Sequence, residues 1–220
     1  MKIFKKPVRV SNLTRRSLKG IIHLLALGYL VGLFYAGVTD NLGPDPVDTL
    51  LNETGIWAIH LLLITLMLSP LAKILPSPEP IKFRRMLGIY SFVYALSHFV
   101  TYILFELQLD MGLIATELVK RPYIVVGLTA LVLLFVLTIT SFQKIRRSMG
   151  KRWQQLHYSI YLIVPLALLH FSWSQKTIWQ EPIWYWLFAF VLLFNRMKGL
   201  VTTALKKHAR NKNRKHAAQT

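Results

Sequence analysis

The stretch WQQLHYSIYLIVPLALLHFSW, residues 153–173, constrains the fold of this chain most strongly. It is long and apolar enough for a membrane-spanning helix, which needs about 20 residues. It carries a histidine near each end, His157 and His170, with Pro165 between them. Ionisable side chains are rare inside a bilayer and usually mark a functional site, and imidazole is a common axial ligand of haem iron. The stretch therefore predicts a membrane helix with a functional site.

The composition supports a membrane protein and excludes several kinds of cofactor site. Of the 220 residues, 54% are hydrophobic, and the mean hydropathy is +0.42. The absence of cysteine excludes disulfides, thiolate-ligated metals, iron–sulfur clusters and haem attached through Cys-x-x-Cys-His. The net charge of +18 could attract nucleic acid, but the basic residues flank apolar runs, a pattern typical of membrane orientation. We therefore expect membrane lipid, and no nucleic acid, as a partner.

Six apolar runs predict an all-α polytopic membrane protein, a bundle of six transmembrane helices. The runs cover residues 21–38, 55–71, 86–105, 123–142, 153–173 and 183–194. We divide the chain into a basic N-terminal arm (1–19), a transmembrane domain (20–201) and a basic tail (202–220). The loop 39–54 is rich in turn residues and acids, and the proline-dense segment 73–85 reads as an extended connection.

The charge distribution predicts the orientation of the bundle. All but three of the 27 Lys and Arg residues lie on one side of the six runs, the exceptions being Lys120, Arg121 and Lys176. Eight of the nine acids lie on the other side, the exception being Glu79. Cytoplasmic loops carry the excess of Lys and Arg, so we expect both termini in the cytoplasm.

Orientation gives each histidine a depth, at about 1.5 Å of rise per residue. His60, His98 and His170 share an outer layer, whereas His23 and His157 share an inner layer. His208 and His216 lie in the basic tail and are expected to be solvated. Two histidines at one depth on different helices can clamp a haem. The alternative is that each histidine hydrogen-bonds a neighbouring helix. We favour this alternative for a lone histidine, and we favour haem ligation for a pair of outer-layer histidines on nonadjacent spans.

The spacing of His157 and His170 argues against a single shared site. They are 13 residues apart, which places them about 140° apart around a straight helix. A kink at Pro165 would be needed for both to face one side. We expect them to serve different sites.

Several sequence blocks carry a resemblance to a known family: GPDPV at 43–47, TGIWA at 54–58, SPLAK at 69–73, RRMLGIYSFVYALSHFVTY at 84–102, ELVKRPYIVVG at 117–127, GKRWQQLHYSIYL at 150–162 and LHFSWS at 169–174. With them the chain resembles the MsrQ (YedZ) family of haem-binding membrane subunits, within the ferric-reductase-like transmembrane superfamily. The resemblance implies haem b and FMN as cofactors and a location in the cell inner membrane. Its haem-linked histidines carry over to His98, His157 and His170. His98 and His170 are the expected axial pair, His157 is a possible ligand, and His23 is a weaker candidate.

The resemblance also implies a direction of electron flow and a partner. Electrons would come from the quinone pool or a cytosolic flavin reductase. They would pass to a periplasmic molybdopterin-containing catalytic subunit, which reduces methionine sulfoxide in oxidised proteins. The chain lacks a Gly-x-Gly-x-x-Gly turn and a soluble nucleotide-binding domain, so we do not expect it to oxidise NAD(P)H. The catalytic site for sulfoxide reduction is expected on the partner.

Three other functions are compatible with a membrane bundle of this kind: transport, zinc binding and metal-ion reduction. A transporter should show inverted repeats, which residues 20–105 and 122–200 do not. A zinc site should have a fuller ligand shell than the outer layer offers, since only His60 adds a nitrogen. A transmembrane ferric or other metal-ion reductase remains the alternative, because only the family blocks separate it. Arg121 could contact a haem propionate or the partner, although an interfacial anchor is favoured.

Overall fold

A computed structural model describes residues 10–75, 77–175 and 181–194 of the chain. Its regular elements are helical, which confirms the all-α prediction. They are α1 (Asn12–Val38), α2 (Pro46–Ile74), a 3-10 turn (Pro80–Phe83), α3 (Arg84–Thr101) with a π-helical continuation (Tyr102–Glu106), α4 (Met111–Lys120), α5 (Pro122–Thr140), α6 (Gln143–Met149), α7 (Lys151–His157), α8 (Ile160–Ser174) and α9 (Glu181–Phe194).

Five stretches in the described residues are long and apolar enough to cross a membrane: Asn12–Val38, Pro46–Ile74, Pro80–Glu106, Pro122–Thr140 and Lys151–Ser174. These correspond to the first five predicted spans. The sixth, 183–194, falls within α9, which is apolar but shorter over its described length, and its extension beyond residue 194 lies outside the described residues. The count of six spans and the cytoplasmic termini stay predictions.

Polar residues that read as loop in the sequence begin several helices. Asp45 caps α2, its side chain accepting a hydrogen bond from the Asp48 backbone N–H at 3.0 Å, with Pro46 in the first turn. Asp110 caps α4 in the same way. The predicted loop 39–54 is therefore half helical, α4 was missed, and α2 begins nine residues earlier than expected. The predicted extended segment 73–85 contains a 3-10 turn instead.

Helix α2 lies at the centre of the bundle. It packs along α3 and also contacts α1 and α8, while α5 packs against α8. One buried apolar cluster joins α2, α5, α8 and α9, and includes Leu66, Leu134 and Val164. A second cluster joins α1, α2 and α3. Most large side chains of α1 are exposed, as expected for a helix that faces lipid.

The fifth span is broken near its start rather than at Pro165. Helix α7 ends at His157 and α8 begins at Ile160. At the break the backbone hydrogen bonds shorten to a three-residue step, from Tyr161 N–H to the Tyr158 carbonyl at 3.0 Å. Pro165 lies inside α8. The span predicted for 153–173 is confirmed by the apolar stretch Lys151–Ser174, but a turn at Tyr158 and Ser159 interrupts it, so His157 and His170 lie on separate helical segments.

Candidate functional site

A cavity of about 410 Å³ opens between α2, α3, α5 and α8. The cavity lies near the end of the bundle that carries loop 39–45 and α4, which we call the acidic end. The opposite end carries α6, and we call it the basic end. The cavity walls are largely apolar, with Ile59, Leu62, Leu134, Ile163 and Phe171 among them. His98 of α3 and His170 of α8 also line it. The structure therefore brings together the two histidines that the sequence paired.

The imidazole rings of His98 and His170 lie close together across the cavity. Their centroids are 6.0 Å apart and their planes are nearly perpendicular, at 85°. Each ring is anchored through Nδ1 to a backbone carbonyl of a neighbouring helix. His98 bonds the Leu51 carbonyl at 2.8 Å and His170 bonds the Tyr123 carbonyl at 2.7 Å.

These anchors define which nitrogen of each ring is available to a metal. A carbonyl oxygen only accepts hydrogen bonds, so the Nδ1 atom of His98 and of His170 must carry the proton. In neutral imidazole the lone pair is then on Nε2. A carbonyl behind a ligating histidine is the usual arrangement in metal sites, because it fixes both the tautomer and the ring orientation.

Two glycines allow the helices to approach these rings. A Cβ atom on Gly55 would lie 3.1 Å from His98 Nδ1, and one on Gly127 would lie 2.6 Å from His170 Nδ1. The second distance is shorter than real Cβ contacts, so only glycine fits there without a shift. Both glycines fall in sequence blocks singled out above, but their role was not recognised.

The donor set and the walls fit a haem. Two nitrogen–metal bonds of about 2 Å each, together with the two ring radii, span roughly 6 Å, close to the observed centroid distance. The volume is within the usual range for cofactor cavities, about 300–1,000 Å³. The apolar walls suit a macrocycle. No group of three or more His, Asp or Glu side chains with metal-site geometry occurs among the described residues.

The mouth of the cavity is polar, and Arg121, named above as a possible propionate contact, is one of its residues. Asp45, Asp48, Tyr102, Glu106 and Arg121 line it. Polar side chains beside an apolar pocket commonly orient a ligand. Asp45 and Asp48 are far from Glu106 in the sequence, so no local motif marked these three carboxylates as neighbours.

His157 and His23 lie away from this cavity. His157 stacks on Trp153 with ring centroids 4.0 Å apart, and its Nδ1 lies 3.1 Å from the Trp153 carbonyl. His23 Nδ1 is 2.6 Å from the Tyr90 hydroxyl. Within the described ranges, no hydrogen bond or ring contact joins His23 to His157. The structure does not bring the predicted inner pair together, and the ligand role of each stays a prediction.

His60 is part of a separate polar contact. Its Nε2 lies 2.9 Å from the Tyr185 hydroxyl, and its ring meets Trp57 edge to face. This contact is of the kind expected for a histidine that hydrogen-bonds a neighbouring helix. His208 and His216 lie outside the described residues.

Comparison with known proteins gives one consistent result. The family model for the ferric reductase like transmembrane component matches residues 54–168. Haem-binding subunits MsrQ of protein-methionine-sulfoxide reductase are similar over most of the chain. The protein from Cronobacter sakazakii is 43% identical, over 83% of this chain and 92% of its own length. Those from Klebsiella pneumoniae and Salmonella arizonae are each 40% identical, over 82% of this chain and 92% of theirs. A match of this identity over nearly the full length shows that the chain belongs to the MsrQ family, within the ferric-reductase-like transmembrane proteins.

Proposed function

We propose that this chain is the haem-binding subunit of a protein-methionine-sulfoxide reductase and that it holds haem b between His98 and His170. The observation that carries the proposal is the pair of neighbouring imidazoles in an apolar cavity, whose centroids are 6.0 Å apart and which are each anchored through Nδ1. The names of the relatives, which describe haem-binding subunits, support the same assignment.

The chain's own residues account for the properties that such a site needs. The carbonyls of Leu51 and Tyr123 hold the two rings in one tautomer and direct Nε2 away from the helix contacts. Apolar side chains from four helices limit the access of water, which affects the redox potential of a bound metal. Haem, when bound, supplies one-electron redox chemistry. The function of the chain is then to transfer electrons rather than to reduce the sulfoxide.

The electron path follows from the orientation predicted by the charges. The cavity lies at the acidic end, which the distribution of Lys and Arg assigns to the periplasm. Electrons would enter at the basic end from the quinone pool or a reduced flavin and leave at the acidic end. The acceptor would be the periplasmic molybdopterin-containing catalytic subunit. FMN stays a prediction of the resemblance, with no site assigned to it.

A metal-ion reductase is the alternative, because the ferric reductase like family model describes the same kind of bundle. The relatives with high identity over most of the chain are methionine-sulfoxide reductase subunits. Their similarity favours that pathway over reduction of a free metal ion.

The visible spectrum of the detergent-purified chain tests the proposal. Protein from haem-replete cells should show a b-type spectrum that changes when dithionite is added. His98→Ala and His170→Ala should each lose the haem of this cavity, because each removes one of the two candidate ligands. His60→Ala is the matched control, since His60 is also within a span but contacts Tyr185 instead.

Three results would contradict the proposal. They are a colourless preparation, unchanged haem content in both ligand variants, and equal loss of haem in the control. Electron delivery is tested separately, by measuring whether reduced protein in vesicles is reoxidised when the catalytic subunit and a sulfoxide substrate are added. Reoxidation by ferric ion alone would favour the metal-ion reductase.

A further inference from the structure

Arg121 occupies a fixed position at the mouth of the cavity. It lies between α4 and α5, immediately before Pro122, and its backbone is extended (φ −120°, ψ 82°) as residues before proline prefer. Its backbone N–H donates to the Glu117 carbonyl at 2.9 Å, and its own carbonyl accepts from Ile124 N–H at 3.0 Å. The junction of two helices therefore sets the direction of the side chain.

The guanidinium is held beside the cavity by two side chains. Arg121 Nε forms an ion pair with Glu117 at 2.8 Å, and Nη1 donates to the Tyr123 hydroxyl at 3.3 Å. Tyr102, on the other side of the mouth, donates to the same Glu117 carboxylate at 3.4 Å. A guanidinium has five N–H donors, and these contacts use two of them. Donors remain for an anionic group.

Arg121 carries a positive charge at a mouth that is otherwise acidic. Arg121 is the one Lys or Arg among the described residues that line the cavity, whereas Asp45, Asp48 and Glu106 contribute carboxylates. An anionic group that enters this acidic mouth would meet repulsion unless a cation pairs with it. Planar carboxylates are well matched by the guanidinium fork.

We infer that Arg121 binds a propionate carboxylate of the haem held between His98 and His170, so that the macrocycle has its polar edge at the acidic end. The inference rests on the proposed function. The same residue also links the two halves of the site, because it bonds the side chain of Tyr123, whose carbonyl anchors His170.

Arg121 could instead have a purely structural role. The binding of esterified haem distinguishes that role from a contact with a propionate. Haem dimethyl ester keeps the iron and the macrocycle but has no propionate charge. A guanidinium that pairs with a propionate discriminates between the free acid and the ester. One that only joins α4 to α5 affects both equally.

The test measures the binding of haem and of haem dimethyl ester to the full chain purified from haem-limited cells. Arg121→Gln should weaken the binding of haem about tenfold, since one charge-assisted hydrogen bond at a half-exposed site is lost. Its affinity for the ester should be unchanged. Lys120→Gln removes a neighbouring exposed charge that does not line the cavity, and Glu117→Gln removes the same ion pair but keeps the guanidinium. Both controls should retain the preference for the free acid.

The outcomes are distinct. An equal loss for acid and ester in Arg121→Gln, or no loss for either, overturns the assignment of Arg121 but leaves haem binding intact. A wild-type chain that binds neither form overturns the proposed function and this inference together. A selective loss of the free acid, absent from both controls, supports the propionate contact.

Discussion

Gly127 lies directly against the imidazole of His170, so closely that a Cβ atom at position 127 would come within 2.6 Å of Nδ1. The ring has little freedom to retreat, because that same Nδ1 bonds the Tyr123 carbonyl at 2.7 Å. Gly55 stands in the same relation to His98, with a less severe distance of 3.1 Å. Each candidate ligand is therefore positioned by a carbonyl and by a glycine on a neighbouring helix.

Gly127→Ala should displace His170 and lower the affinity for haem about 10- to 100-fold, the usual effect of disturbing the groups behind a metal ligand. Gly55→Ala should have a smaller effect in the same direction, because its methyl group needs a shift of only a few tenths of an ångström. Haem content and the reduced visible spectrum measure both.

Gly88→Ala is the control for helix stability, since a Cβ there would meet only Thr65 Cγ2 at an ordinary 3.8 Å. Alanine in a compatible helical position stabilises slightly, so this variant should bind haem normally. Full haem retention in Gly127→Ala would show that the ring is not held as described.

The pairing of His98 with His170 could be predicted from the sequence, but its supports could not. Apolar runs and charge asymmetry gave each histidine a depth, which placed His60, His98 and His170 in one layer. The family resemblance then selected His98 and His170 from these three. The anchors are main-chain carbonyls, at Leu51 and Tyr123, each 47 residues from the histidine that it holds. Every residue has a carbonyl, so no side-chain pattern marks these two.

Helix boundaries were less predictable for a different reason. Hydropathy detects the part of a helix that lies in lipid, whereas α2 begins in polar residues stabilised by the cap at Asp45. The break between α7 and α8 is set by backbone hydrogen bonds near Tyr158. The sequence drew attention to Pro165, because proline is the usual cause of a kink. The turn between α7 and α8 contains no proline or glycine, so nothing in the sequence indicated a break there.

His157→Ala should leave the haem between His98 and His170 in place. His157 does not line the cavity, and its ring stacks on Trp153 beyond a helix break. The spectrum of that haem should persist in this variant, whatever His157 binds at the basic end. The measurement compares its haem content and spectrum with those of His170→Ala. Loss of the same spectral component in both variants would show that His157 acts at this site.

Thr101→Val should raise the free energy of unfolding by about 1 kcal/mol, because a buried hydroxyl without a partner costs at least that much. Thr101 is 0% exposed, and within the described ranges its Oγ1 has no hydrogen bond. Valine has nearly the same shape. Thr54→Val is the matched control, since Thr54 is equally buried but its hydroxyl donates to the Leu50 carbonyl. Thermal unfolding in detergent should show a gain for the first variant only; a loss in Thr101→Val would imply an unseen partner.

Glu79 should make stability depend on pH at the basic end. The hydrogen bond from Lys82, at 2.7 Å, holds the pKa of the Glu79 carboxyl below its ordinary value of 4.5, and Arg15 of α1 adds to the effect from 3.7 Å. A depressed pKa stabilises the folded state fully above about pH 4.5, and this contribution is lost as the pH falls through the lower folded value. Wild type should therefore melt at a higher temperature than Glu79→Gln near neutral pH, and the difference should shrink below pH 4.5. Lys82→Gln should reduce the same pH dependence. If the difference in melting temperature between wild type and Glu79→Gln were constant with pH, the charge of the Glu79 carboxylate would not be what joins α1 to the loop before α3.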